Sequence, residues 1–162
     1  MVFVAILALL VAGFSSLERT DDQSMDLEEI SLPGATVLAF GPDNVLFIGD
    51  SKAAMVHAIP TNAEALTDAV PFNLTDFDLK LAKVLKIEAR DLIINDMKIH
   101  PVSQEAYFAV KKGHAPDAPS VVAIVSPTNG EVRFLQVKAS NSTKVAIQNP
   151  ASEDLKFWRD IP

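Results

Sequence analysis

The sequence predicts a mainly β protein built from antiparallel β-meanders, with one short inserted helix. Three observations carry that expectation. The segment Leu38–Gly49 (LAFGPDNVLFIG) and the segment Met97–Val110 (MKIHPVSQEAYFAV) share one order of parts: apolar strand, proline-bearing turn, aromatic strand. Short apolar runs bounded by Gly, Pro, Asn or Asp recur between residues 35 and 137. Helical spacing of apolar residues is convincing in one place only, just after Asp76.

Within the repeat, Leu38 and Phe40 correspond to Met97 and Ile99, and Pro42 to Pro101. Leu46 and Phe47 then correspond to Tyr107 and Phe108, with two extra residues in the second turn. The first unit reads as strands at Ala35–Phe40, Val45–Gly49 and Ala54–Ile59, with Gly41-Pro42-Asp43-Asn44 as a hairpin turn. Val45–Ile48 is apolar without alternation, so both of its faces are expected to be buried. His57 stands alone in an apolar strand and reads as a satisfied structural histidine.

The helix has Asp76 as its expected N-cap and Asp78 as first-turn negative charge. Phe77, Leu81, Val84 and Leu85 are expected on its packed face, with Lys80, Lys83 and Lys86 on a solvated one. In the second unit, Asn95-Asp96 interrupts the apolar run Leu92–Ile94, placing two polar groups inside a strand. Ala106–Val110, Ser120–Val125 and Val132–Val137 follow as strands, with Asn129-Gly130 as a hairpin signal.

Val2–Phe14 is an uncharged apolar run, too short for a membrane span of about 20 residues. It fits the core of a secretory signal ending near Ser15, although no Lys or Arg precedes it. A retained anchor and a buried element are the alternatives. Residues 1–15 are therefore expected to be a signal peptide, 16–31 a polar, acidic tether, and 32–162 the β domain. Asn73-Leu74-Thr75 and Asn141-Ser142-Thr143 are glycosylation triplets that matter only in a eukaryotic secretory host. Leu155, Phe157 and Trp158 are large apolar residues in the tail.

The segments LAFGPDNVLFIGDS and INDMKIHPVSQEAYFAV resemble β-propeller blades, across roughly residues 32 to 138. The chain is similar to secreted bacterial propeller-like repeat proteins of largely uncharacterised function, in which a short helix precedes an Ile-Asn-Asp segment. The resemblance implies about two blades, the N-terminal fragment of a longer propeller whose remaining blades are missing. A small complete β-sandwich with one helix is the alternative. It also implies a secreted or periplasmic protein without stable membrane insertion once the signal is removed.

Composition excludes several functions. The net charge of −7 argues against a nucleic-acid surface, which needs clustered Lys and Arg. With no cysteine, disulfides, thiol nucleophiles and Cys-based zinc sites are ruled out. No glycine-rich phosphate loop, Gly-x-Ser-x-Gly elbow or His-Glu-x-x-His helix occurs, and the three histidines share no ligand spacing.

The candidate ligand-binding residues are Asp50, Asn95 and Asp96. At inner strand ends, carboxylates and amides can gather a hard cation such as calcium. The plainer alternative is that they satisfy neighbouring backbone N–H groups. Two function classes follow: an exported, non-catalytic propeller-like protein that binds or scaffolds an unknown ligand or protein, or a fragment of a propeller enzyme. A metal-dependent lactonase would need further Asn, Asp and Glu residues. A quinoprotein-type dehydrogenase would need more tryptophan than the single Trp158.

Overall fold

The computed structural model of the protein describes residues 30–62, 64–66 and 75–150. The proposed signal peptide, most of the tether, Asn73 and Leu74 of the first glycosylation triplet, and the apolar tail residues lie outside them. Two four-stranded antiparallel sheets and one α-helix make up the described fold.

Sheet 1 begins with β1 (Ala35–Phe40), β2 (Val45–Asp50) and β3 (Met55–Pro60). Sheet 2 contains β4 (Leu92–Ile99), β5 (Ala106–Lys112), β6 (Ser120–Val125) and β7 (Val132–Phe134). Each forms a simple meander, as the repeat predicts. The late strand β8 (Thr143–Ala146) returns to pair with β3, giving sheet 1 the order β1-β2-β3-β8. The helix α1 (Phe77–Leu85) lies between the units in sequence. Among the described residues no helix is long and apolar enough to cross a membrane.

The layers stack in the order sheet 1, sheet 2, helix. Leu38, Leu46, Ile48 and Ile59 of sheet 1 pack against Tyr107, Ala109, Val122 and Ile124 of sheet 2. The opposite face of sheet 2, through Phe108, Val110, Ala123 and Val125, packs against Leu81 and Leu85 of α1. Strand β5 is thus covered on both sides, which explains why Ala106–Val110 reads as an unbroken apolar run.

Four expectations need correction. Strand β2 alternates after all, because Phe47 points to the solvent face and is 37% exposed. Its ring lies over Gly41, where an added Cβ would sit only 2.5 Å from Phe47 Cε2. The repeat is also one residue out of register. Leu38 pairs with Ile48 and Met97 with Phe108, while Phe40 pairs with Leu46 and Ile99 with Ala106. Ile48 is therefore the counterpart of Phe108, and Phe47 that of Tyr107; a slip of one reverses every side chain.

The third correction concerns the start of α1. Asp76 adopts a left-handed conformation (φ 53°) and makes no side-chain cap bond. The fourth is on its packed face, which carries Leu81, Ala82 and Leu85, while Val84 is exposed. The β1–β2 turn is tight: Asp43 and Asn44 both take positive φ, which short polar side chains tolerate.

Candidate functional site

Asn95 and Asp96 meet on one edge of the fold. A bulge between Ile94 and Asp96 breaks the β4 register and re-aims these side chains toward β1, the edge strand of sheet 1. Asn95 Nδ2 donates to Ala35 O at 3.2 Å, and the Leu38 N–H donates to Asp96 Oδ2 at 2.8 Å. Together they stand in for a missing neighbouring strand and join the sheets at a side-chain seam. Asp96 Oδ1 also accepts from the Met97 N–H and from Lys98 Nζ, at 2.8 and 2.7 Å. Burial pushes the Asp96 carboxyl up. The bonds from Lys98, Leu38 and Met97, with the Lys98 charge, outweigh burial and hold it below the usual carboxylate range.

Asp50 sits across β1 from that seam, as the register partner of Ala35. Its Oδ1 accepts the N–H groups of Lys52 and Ala53, at 3.1 and 2.8 Å, and so organises the β2–β3 turn. Its Oδ2 has no partner among the described residues. All three expected ligand residues therefore hold backbone groups, and no direct bond joins Asp50 to the other two. Among the described residues no group of three or more His, Cys, Asp or Glu is placed to hold a metal ion.

His57 departs from its expected role. It is 2% exposed, on the face of β3 that looks toward sheet 2, and neither ring nitrogen has a partner among the described residues. Burial holds it below the ordinary histidine value; nearby Asp50 pulls the other way, and Lys144 adds to the lowering. His100, by contrast, is fully engaged. Its Nδ1 accepts the N–H groups of Val102 and Ser103, both at 3.1 Å. That leaves the ring proton on Nε2, which meets Thr61 Oγ1 at 2.8 Å, and Thr61 in turn donates to Asn44 O. One neutral imidazole thus ties the β4–β5 turn to two loops of sheet 1. Phe40 packs edge-on against it, ring centroids 4.7 Å apart.

Sequence reading missed two features. At the end of sheet 2, Arg133 Nη2 lies 2.7 and 2.8 Å from the two oxygens of Glu105, which also accepts from Ser103 Oγ. This pair borders a cleft of about 350 Å³ with Ser126 and Glu131. A larger cleft, about 470 Å³, runs between Ile30–Leu32 and residues 134–137 and has no titratable lining residue. Neither cleft gathers a nucleophile with a base.

The second missed feature is the outer face of sheet 1. Val37, Gly49, Val56 and Val145 form one cross-strand row, and Ala39, Phe47, Ala58 and Thr143 the next. Val37 is 57% exposed and Val145 65% exposed. The rows contain no charged residue. The alternation Thr143-Lys144-Val145-Ala146 was the signal for its rim, but it falls in a stretch that otherwise reads as tail.

No family model, curated protein or solved structure matches this chain. The reading of the site therefore rests on its own geometry. Asn95, Asp96 and His100 are engaged in joining turns and sheets, and the outer face of sheet 1 is apolar.

Proposed function

We propose that this chain is an exported, non-catalytic, β-propeller-like protein that binds or scaffolds through a surface. The observation that carries the reading is the outer face of sheet 1, an apolar area of cross-strand rows with Val37, Phe47 and Val145 exposed. Contiguous exposed apolar faces of this kind mark interaction sites rather than reaction centres. The engagement of Asn95, Asp96 and His100 with backbone groups and with Thr61 supports the same reading. The propeller-like element of the proposal draws on two meanders stacked face to face with their first strands adjacent. Export draws on Val2–Phe14, a secretory-type apolar run.

The test is site-specific photo-crosslinking of the whole chain, expressed in bacteria from its own N-terminus. A photoreactive residue at Val37 or Val145 should give discrete adducts in the exported fraction. The same residue at Leu79, exposed on α1, should give none. Equal, low adduct yield at all three positions overturns the reading of this face as a binding surface.

A further inference from the structure

We propose that the occupant of the outer face is a second copy of this chain, joined by a two-fold axis into a closed dimer. The inference rests on reading that face as the binding surface, and four features of the fold select this occupant.

The first is internal equivalence. Phe47 on the outer face is the counterpart of Tyr107 in sheet 2. Within the molecule, the Tyr107 face is covered by another four-stranded sheet, through Leu38, Ile48 and Ile59. A face of this kind thus takes a sheet. The inner Leu38 face is already committed to sheet 2, so the sheet face left for a second copy to offer is its own outer face.

The second is the way the stack ends. On the far side of sheet 2, α1 stands over β5 and β6 and turns Lys80, Lys83 and Lys86 to solvent. A head-to-tail stack would have to displace that helix. A two-fold join places sheet 1 against sheet 1 and leaves a lysine-bearing helix at each outer end, so assembly stops at two copies.

The third is Gly49, at the centre of the Val37–Gly49–Val56–Val145 row. Its φ lies outside the left-handed region, and an added Cβ would meet only Val37 Cβ at 3.5 Å and Val37 O at 3.9 Å. Neither backbone nor space demands glycine here. What glycine leaves is a hollow flanked by two valines, which can receive a valine of the opposing face while offering its own. The fourth is charge. The chain carries −7, and the face carries none, so two copies meet here without bringing like charges into the join.

Sedimentation equilibrium of the purified chain tests this. Four strands about 4.8 Å apart make a narrow face, so a reversible dimer with a dissociation constant on the order of 10–100 μM is expected. Val37→Lys and Val145→Lys should each weaken it at least tenfold, while Met97→Lys, on the α1 side, leaves it unchanged. Gly49→Ala should melt no lower than the parent yet dimerise more weakly, because it fills the hollow without disturbing the strand. A chain monomeric to about 1 mM, open-ended polymers, or dissociation by Met97→Lys overturns the dimer. Crosslinking at Val37 separates the two readings: an adduct of twice the chain mass supports the dimer. An adduct with another protein overturns the dimer and keeps the surface; no adduct overturns both.

Discussion

The two sheets share a topology and differ in cover. Sheet 2 is packed on both faces, by sheet 1 and by α1, and its central strand β5 is buried from Ala106 to Val110. Among the described residues sheet 1 is packed on one face only, and the same strand position in it alternates between core and solvent. Equivalent positions therefore carry different burdens. Tyr107 is 3% exposed inside the stack, whereas Phe47, its counterpart, lies flat over Gly41 at the surface. Cover, more than pairing, decides which residues are indispensable.

The sharpest way to break the comparison is to place one charge in each sheet. Val110→Asp puts an unpaired carboxylate between sheet 2 and α1 and should cost several kcal/mol, enough to abolish cooperative melting. Val37→Asp on the outer face, measured at a concentration where the chain is monomeric, should shift stability by no more than about 0.5 kcal/mol. Thermal melts followed by near-UV circular dichroism compare them directly. Similar losses in both variants would mean that sheet 1 is covered on its outer face too.

A middle-sized effect is expected at the seam. Asp96→Ala leaves the Leu38 N–H without its acceptor and should cost about 1–3 kcal/mol. Hydrogen exchange reads the cause: the Leu38 amide should lose protection, while amides inside β5 keep theirs. Millimolar calcium should leave the melting temperature of the parent chain unchanged. A calcium-dependent rise that Asp96→Asn removes would make the carboxylate a metal ligand instead.

The smallest effect is the acid response of the histidines. The fold holds His57 and His100 below the ordinary value of 6.5, through burial in both cases, against which Glu105 pulls His100 upward. Folding thus favours the neutral rings, so their contribution is complete above about pH 6.5 and fades as pH falls toward the lowered folded values. Asp96, held below its ordinary 3.8, adds a second loss at lower pH. His57→Leu should remove part of the first loss without destabilising the neutral protein, because it deletes two unpartnered nitrogens from an apolar face. A melt of this variant lower than the parent at pH 7.5 would show that the ring has a polar partner.

The mainly β class and the two meanders were legible, since strand propensity, turn residues and local pairing act over short stretches of chain. Strand Ala35–Phe40 falls where its apolar run places it. The register of the repeat was not legible, because it depends on turn geometry that a proline alone does not fix. Asn95 and Asp96 stood out as polar groups inside an apolar run. Their partners, Ala35 and Leu38, are set by how the sheets meet, which no local pattern encodes. Asp76 looked like a cap from its place before Phe77, yet its backbone is left-handed and its side chain makes no cap bond. The exposure of Phe47 was hidden by its apolar neighbours, because hydrophobicity tells which residues gain from burial, not which ones find cover.

Strand β8 pairs with β3, although all of sheet 2 lies between them along the chain. During synthesis, β1 to β3 can form their hairpins early, but the edge of β3 must wait. It stays open while the whole second meander is made, and closing it costs the entropy of a long loop. Completion of the earliest-made sheet is thus a late folding event, and the exposed β3 edge is where mispairing between nascent chains is most probable.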